Sequence, residues 1–140
     1  MMATPIHPWR LILCSASPRR RQLLQGLDLP VEITSVDVDE TPPPGLPPEQ
    51  VAEHLARKKA EAWTGTLDAD QVLVTADTTV LLDTDNGTVL LNKPADPTDA
   101  EQMLTMLSGR THRVITGVCL RTSTQTDSFA DTALVSFRAL

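Results

Sequence analysis

The hydrophobic and polar positions of this chain form two kinds of pattern, one typical of strands and one of helices. Apolar or alternating runs between turn residues predict strands over residues 9–14, 31–36, 71–76, 79–83, 89–91, 111–121 and 127–137. Segments with helical periodicity predict helices over residues 18–25, 48–63 and 98–107. Because strands alternate with helices early and form hairpins late, we expect an α/β fold with a mixed central β-sheet flanked by helices.

Local signals mark the ends of several of these elements. Asn86-Gly87 predicts a hairpin turn. Thr98 and Glu101 have the spacing of a capping box at the start of the third helix. The proline-rich residues 41–48 predict a stiff loop that is too short to separate domains. The 140 residues are therefore expected to form one domain.

Composition limits the partners of this domain. The chain has 12 Lys and Arg against 18 Asp and Glu, a net charge of −6, which argues against a nucleic-acid or anionic-membrane surface. No stretch approaches the length of a membrane span or of a signal-peptide core, so we expect a cytoplasmic protein. Cys14 and Cys119 lack metal-ligand spacing and are interpreted as buried free thiols, with a disulfide as the alternative.

The first 27 residues contain no acid, although the protein is acidic overall. Ser17 and Pro18 are typical of a helix start, which places Arg19, Arg20 and Arg21 in the first helical turn. Cations are unfavourable there, because a helix N-terminus carries positive partial charge. We therefore predict a bound anion, with a solvated basic turn as the alternative.

The helical wheel ranks these three arginines. Arg20 falls near the middle of the apolar stripe, with Arg19 to one side and Arg21 to the other. The stripe consists of Leu23, Leu24 and Leu27. Arg20 is therefore the first candidate for an anion contact and Arg19 the second, whereas Arg21 is predicted to lie on the surface.

Two charged residues interrupt apolar surfaces elsewhere. Lys59 falls on the apolar arc of the second helix, between Leu55 and Trp63, so it either snorkels to the surface or points into a cleft. Asp77 interrupts the apolar residues 72–82, where it is either a turn aspartate or a group that holds Mg²⁺ or activates water. The apolar face of that helix is predicted to comprise Val51, Ala52, Leu55, Ala56, Ala62 and Trp63.

Further charged residues follow predicted strands. Glu40 ends a run of alternating acids, which taken alone favours a solvated strand face, and Lys93 stands in a loop. Arginines, lysines and strand-end acids together suit a polyphosphate with its metal ion, because cations neutralise phosphate oxygens and carboxylates hold the divalent ion. The sequence contains neither a Walker A motif nor a GxGxxG motif.

Six ordered motifs resemble those of the Maf (septum formation inhibitor) family of nucleoside triphosphate pyrophosphatases. They are Ser15-Ala16-Ser17-Pro18-Arg19-Arg20, Val38-Asp39-Glu40, Leu55-Ala56-Arg57-Lys58-Lys59-Ala60, Ala76-Asp77-Thr78, Asn92-Lys93-Pro94 and Leu107-Ser108-Gly109-Arg110-Thr111-His112. The resemblance implies hydrolysis of a nucleoside triphosphate to the monophosphate and pyrophosphate with Mg²⁺ or Mn²⁺. It also implies a Maf/ITPase-like fold and a homodimer.

Carried over by motif, the resemblance assigns a role to each candidate residue. It implies that Asp77 and Glu40 hold the metal and act in catalysis together with Lys59. Phosphate binding is assigned by the same resemblance to Ser15, Arg19, Arg20, Lys59 and Lys93.

The Pro-Arg-Arg and Ala-Asp-Thr forms resemble the branch of the family that acts on dTTP and UTP, with the 7-methyl-GTP branch second. Family members continue beyond the position of Leu140 with a further conserved segment, so the C-terminal part of the fold is expected to be missing here. A non-catalytic nucleotide-binding regulator of septum formation is the alternative function.

Overall fold

The computed structural model describes residues 9–15, 17–26, 28–91 and 94–140. Its elements, in chain order, are β1 (Arg10–Cys14), α1 (Pro18–Gln25), β2 (Val31–Thr34), a 3-10 turn (Pro48–Gln50), α2 (Val51–Ala62), β3 (Gln71–Thr84), β4 (Gly87–Leu91), α3 (Pro97–Leu107), β5 (Thr111–Arg121) and β6 (Thr126–Ser136). The predicted α/β architecture with a mixed sheet is confirmed.

The sheet has the order β2-β1-β3-β5-β6, and β4 also pairs with β3. β1 runs parallel to β2 and β3, whereas β4 and β5 are antiparallel to β3. β1 and β4 share one edge of β3, because β1 pairs with residues 71–75 and β4 with residues 80–84. Within the described residues no strand pairs with that edge over residues 76–79. We call these four residues the open edge.

β3 is one continuous strand, so the predicted break at Asp77 is wrong. β5 pairs with β3 without interruption from Leu73 to Leu81, which holds the backbone extended through the polar residue. The Asp77 side chain is buried, but it is bonded to the ammonium of Lys59 and needs no turn to satisfy it.

Helix α2 lies against the sheet and forms much of the core. Its buried residues are Val51, Ala52, Leu55, Ala56 and Ala60. Ala62, the last residue of the helix, is exposed, so its predicted place on the apolar face is wrong.

Thr75 and Gly117 determine how closely α2 approaches the sheet. The Thr75 hydroxyl donates to the Ala56 carbonyl at 2.6 Å. At Gly117 in β5, a Cβ atom would overlap the α2 backbone at Ala52 and Glu53. Contact this close is therefore possible only because residue 117 has no side chain.

Helix α1 packs differently from the prediction. None of its described side chains is buried, and Leu23 is 64% exposed, so the apolar stripe does not face a core. Leu27 lies outside the described residues. The arginines of this helix make polar contacts, which are described with the site.

Helix α3 begins one residue before its predicted start. Asp96, and not Thr98, is the N-cap: its Oδ1 accepts from the Asp99 N–H at 2.7 Å. The aspartate prevails because Pro97 has no N–H to donate and is suited to the first helical position. Gly109 follows the helix with φ of 69°, as expected for a residue that terminates a helix.

The two cysteines are buried and free, which excludes the disulfide alternative. Cys14 and Cys119 both pair with Thr75, from opposite sides of β3. Two strand spacings, about 10 Å, separate them, beyond the reach of a disulfide. Burial raises the pKa of both thiols. Among the described helices none has the length and apolar character needed to cross a membrane.

Candidate active site

The first wall of the site is the turn between β1 and α1. The Ser15 hydroxyl accepts from the Ser17 N–H at 3.0 Å, and the Ser17 hydroxyl accepts from the Arg20 N–H at 3.3 Å. Ser17 is thus the N-cap and Pro18 the first helical residue, as predicted. No acid lies in the first turn, so its positive potential is not compensated by a side chain of the helix.

Arg20 links this wall to the open edge of β3. Its guanidinium donates to the Ala76 carbonyl at 3.3 Å and to the Thr78 hydroxyl at 2.5 Å. The side chain therefore lies at the edge of the core, which contradicts the alternative of a solvated basic turn for this residue. Arg19 is exposed.

Arg21, which is predicted to lie on the surface, is half-buried and makes a contact that the prediction does not include. Its Nε and Nη2 atoms both donate to the Ser15 carbonyl, at 3.1 and 3.0 Å. The planar guanidinium therefore binds the backbone of the turn that precedes its own helix. This contact stabilises the shape of the first wall. Nothing in the helical periodicity indicates such a contact, because its acceptor is a backbone atom.

Lys59 points from α2 toward the same edge. Its ammonium donates to the Ala76 carbonyl and to Asp77 Oδ1, each at 3.1 Å, and lies 3.9 Å from Glu40 Oε1. Only 16% of its side chain is exposed, so the snorkelling alternative is wrong. Lys59 is the centre of the cluster, because it contacts both predicted carboxylates.

The loop after β2 carries Glu40 to this cluster. Lys58 donates to the Asp39 carbonyl at 2.6 Å, which ties the loop to α2. The Thr41 N–H bonds the Asp39 carboxylate at 2.9 Å and holds the pKa of that carboxyl below its ordinary value. Half of the Glu40 side chain is exposed, so its carboxylate faces the cleft as well as Lys59.

A cleft of about 630 Å³ opens beside the open edge. Its polar end contains Glu40, Asp77 and Thr78, where the arginine and lysine contacts converge. The rest of the lining is mostly apolar and consists of Thr41, Pro42, Val51, Leu55, Thr79, Val80, Leu90, Leu91, Pro94 and Met103. This division suits a ligand with an anionic part and a flat or apolar part.

The donor set at the polar end is consistent with a hard divalent cation. Glu40 and Asp77 present carboxylate oxygens around one ammonium, and Mg²⁺ typically uses one or two carboxylates together with substrate phosphates and water. Among the described residues, no three His, Cys, Asp or Glu side chains form a closed metal cluster. The site therefore fits an open metal position that a phosphate completes.

The structure thus brings Arg20, Lys59, Asp77 and Glu40 together at the open edge, with Ser15 in the turn that precedes α1, while their chemical roles stay predictions. Lys93 lies outside the described residues. Sequence reasoning missed the Ala76 carbonyl, which accepts from both Arg20 and Lys59, because a backbone acceptor leaves no signature in the sequence.

Cations and carboxylates around an open sheet edge of an α/β fold suit the binding of a phosphorylated ligand. The family model described as "Maf-like protein" matches residues 10–140. The chain belongs to this Maf-like family, which confirms the resemblance seen in its motifs.

Similar proteins agree with this membership. A dTTP/UTP pyrophosphatase from Porphyromonas gingivalis is 42% identical over 142 aligned residues, covering 99% of this chain and 69% of the relative. One from Flavobacterium johnsoniae is 39% identical over 140 residues, covering 100% of this chain and 70% of the relative. The Ham1 protein of Staphylococcus aureus shares the fold, with a TM-score of 0.58, 14% identity, and coverage of 91% of this chain and 71% of the other.

Proposed function

We propose that this chain is a nucleoside triphosphate pyrophosphatase that hydrolyses dTTP and UTP to the monophosphate and pyrophosphate. The observation that carries the proposal is the Lys59 ammonium between Asp77 and Glu40, at the edge where Arg20 also ends. The dTTP/UTP pyrophosphatases that are about 40% identical over nearly the whole chain support the substrate and the reaction.

Different residues at the cleft have different roles in the proposed reaction. We assign triphosphate binding to Arg20, Arg19 and Ser15, as the family resemblance implies, and we assign the nucleoside to the apolar part of the cleft. Lys59 orients the Asp77 carboxylate through Oδ1. Among the described residues nothing hydrogen-bonds Asp77 Oδ2, so this oxygen is free to accept a proton from the water that cleaves the α–β phosphoanhydride.

A divalent metal is part of the proposal. Asp77 and Glu40 would hold Mg²⁺ or Mn²⁺, which supplies charge neutralisation at the phosphates and makes bound water more acidic. We also propose a homodimer, as the family resemblance implies, and a cytoplasmic location, which two free buried thiols suit.

A pyrophosphate-release assay over dTTP, UTP, CTP, ATP, GTP and 7-methyl-GTP tests the proposal. We expect dTTP and UTP to be hydrolysed fastest with Mg²⁺ or Mn²⁺, and EDTA to abolish release. Preference for 7-methyl-GTP would assign the chain to the other branch. Saturable nucleotide binding without release from any triphosphate would instead support a non-catalytic regulator.

Arg20 and Arg19 offer a matched pair of variants. Arg20→Ala is expected to lower kcat/KM for UTP by roughly tenfold or more, because it removes a charge-assisted contact at the edge of the core. Arg19→Ala should have a smaller effect, since that side chain is exposed. Steady-state kinetics of both variants test whether Arg20 contributes more to phosphate binding than Arg19. A larger loss of kcat/KM in Arg19→Ala would reverse this order.

A further inference from the structure

Thr79 is a buried residue of the cleft, and its hydroxyl has no role in the proposed reaction. Its exposed fraction is 8%, and its Oγ1 atom has no hydrogen-bond partner within the described part of the chain. A buried hydroxyl without a partner costs free energy and is retained only where something compensates for it. The residue lines the same cleft as Asp77.

The position of Thr79 separates it from the phosphate-binding groups. It follows Asp77 by two residues in β3, so it lies on the same face of the strand about 7 Å further along. Around it the cleft is lined by Val51, Leu55 and Leu90. With Asp77 at the phosphoanhydride, a hydroxyl this far along the strand reaches the nucleoside part of the ligand and not the phosphates.

We propose that Thr79 is the polar contact to the pyrimidine base, an inference that rests on the proposed function. The apolar walls suit the faces of the ring, whereas its edge carries carbonyl and N–H groups that need a partner. A hydroxyl can both donate and accept. Rotation about χ1 exchanges the hydroxyl with the methyl group, so Oγ1 can turn toward a base in the cleft.

The test compares the affinity of the wild type and Thr79→Val for four probes: UMP, dTMP, ribose 5-phosphate and pyrophosphate. Valine has nearly the shape of threonine but cannot form the hydrogen bond. We expect roughly three- to tenfold weaker binding of UMP and dTMP, with unchanged binding of the two probes that lack a base. Thr79→Ser, which keeps the hydroxyl, should restore most of the affinity.

Thr75→Val is the matched control, since Thr75 lies on the same face of β3 but its hydroxyl is already satisfied by Ala56. It should lower the melting temperature without changing the preference for UMP over ribose 5-phosphate. Thr79→Val should leave the melting temperature unchanged or raised, because it removes an unpaired hydroxyl.

The outcomes separate this inference from the proposed function. Unchanged UMP and dTMP affinity in Thr79→Val would overturn the base contact, as would an equal loss for ribose 5-phosphate, which would point to the sugar. If the wild type binds neither UMP nor pyrophosphate, the proposed function itself fails.

Discussion

Replacing Asp77 by Asn is expected to lower kcat for dTTP and UTP at least about 100-fold while leaving the fold intact. Asparagine is nearly isosteric, and its side-chain oxygen can still accept from Lys59, which lies 3.1 Å from Asp77 Oδ1. What it loses is the negative charge and the capacity to take a proton. Pyrophosphate release measures the effect, and circular dichroism and the melting temperature monitor folding.

Raising the Mn²⁺ concentration distinguishes the two roles proposed for Asp77. If the carboxylate mainly anchors the metal, excess Mn²⁺ should restore part of the activity; if it mainly accepts a proton, excess Mn²⁺ should not. Asp83→Asn is the control, since that exposed carboxylate belongs to the same strand but binds Arg113 and Thr88 away from the cleft. An Asp77→Asn enzyme with more than a tenth of the wild-type rate would place the chemistry elsewhere.

Replacing Gly117 by Ala should destabilise the protein by about 3 kcal/mol, a large part of the stability of an ordinary domain. The added methyl group would overlap the backbone of α2 at Ala52 and Glu53, which cannot yield as a flexible side chain would. The helix must therefore move away from the sheet. Urea unfolding with an unchanged m-value measures the loss.

Gly26→Ala is the matched control for this substitution. Gly26 has right-handed helical dihedral angles, and a Cβ there would have only ordinary contacts, the nearest 3.5 Å from the Leu23 carbonyl. Its effect should be within about 0.5 kcal/mol. A Gly117→Ala protein as stable as the wild type would show that α2 can shift at little cost. Activity should fall together with stability, because the same helix carries Lys59.

The sequence predicted strands and helices well where all the signals that determine them are local. Pro18–Gln25 matches the predicted first helix, since a capping serine, a proline and helix formers all act locally. The prediction of two strands in place of β3 failed because the cause there is not local. Asp77 breaks the apolar pattern, but pairing with β5 and the ion pair with the distant Lys59 let the strand continue through it.

In the candidate site, too, the sequence identified some of the important residues and missed others. Arg20, Lys59 and Asp77 were singled out because each conflicts with its local pattern, and all three lie at the open edge. Arg21 and the Ala76 carbonyl were missed, because their importance depends on backbone positions that only the folded chain brings together. Local conflict therefore identified the charged side chains but not the atoms that orient them.

The two edges of β3 also imply a mechanical asymmetry in the cleft. Along one edge, β5 pairs with every residue from Leu73 to Leu81, so the floor under Asp77 belongs to the stiffest part of the sheet. Helix α1 buries none of its described side chains, and its hydrogen bonds to β3 come from the Arg20 guanidinium, which donates to the Ala76 carbonyl and the Thr78 hydroxyl. Loss of the Arg20 contacts with Ala76 and Thr78 would therefore free α1 from β3 without disturbing the pairing that holds Asp77.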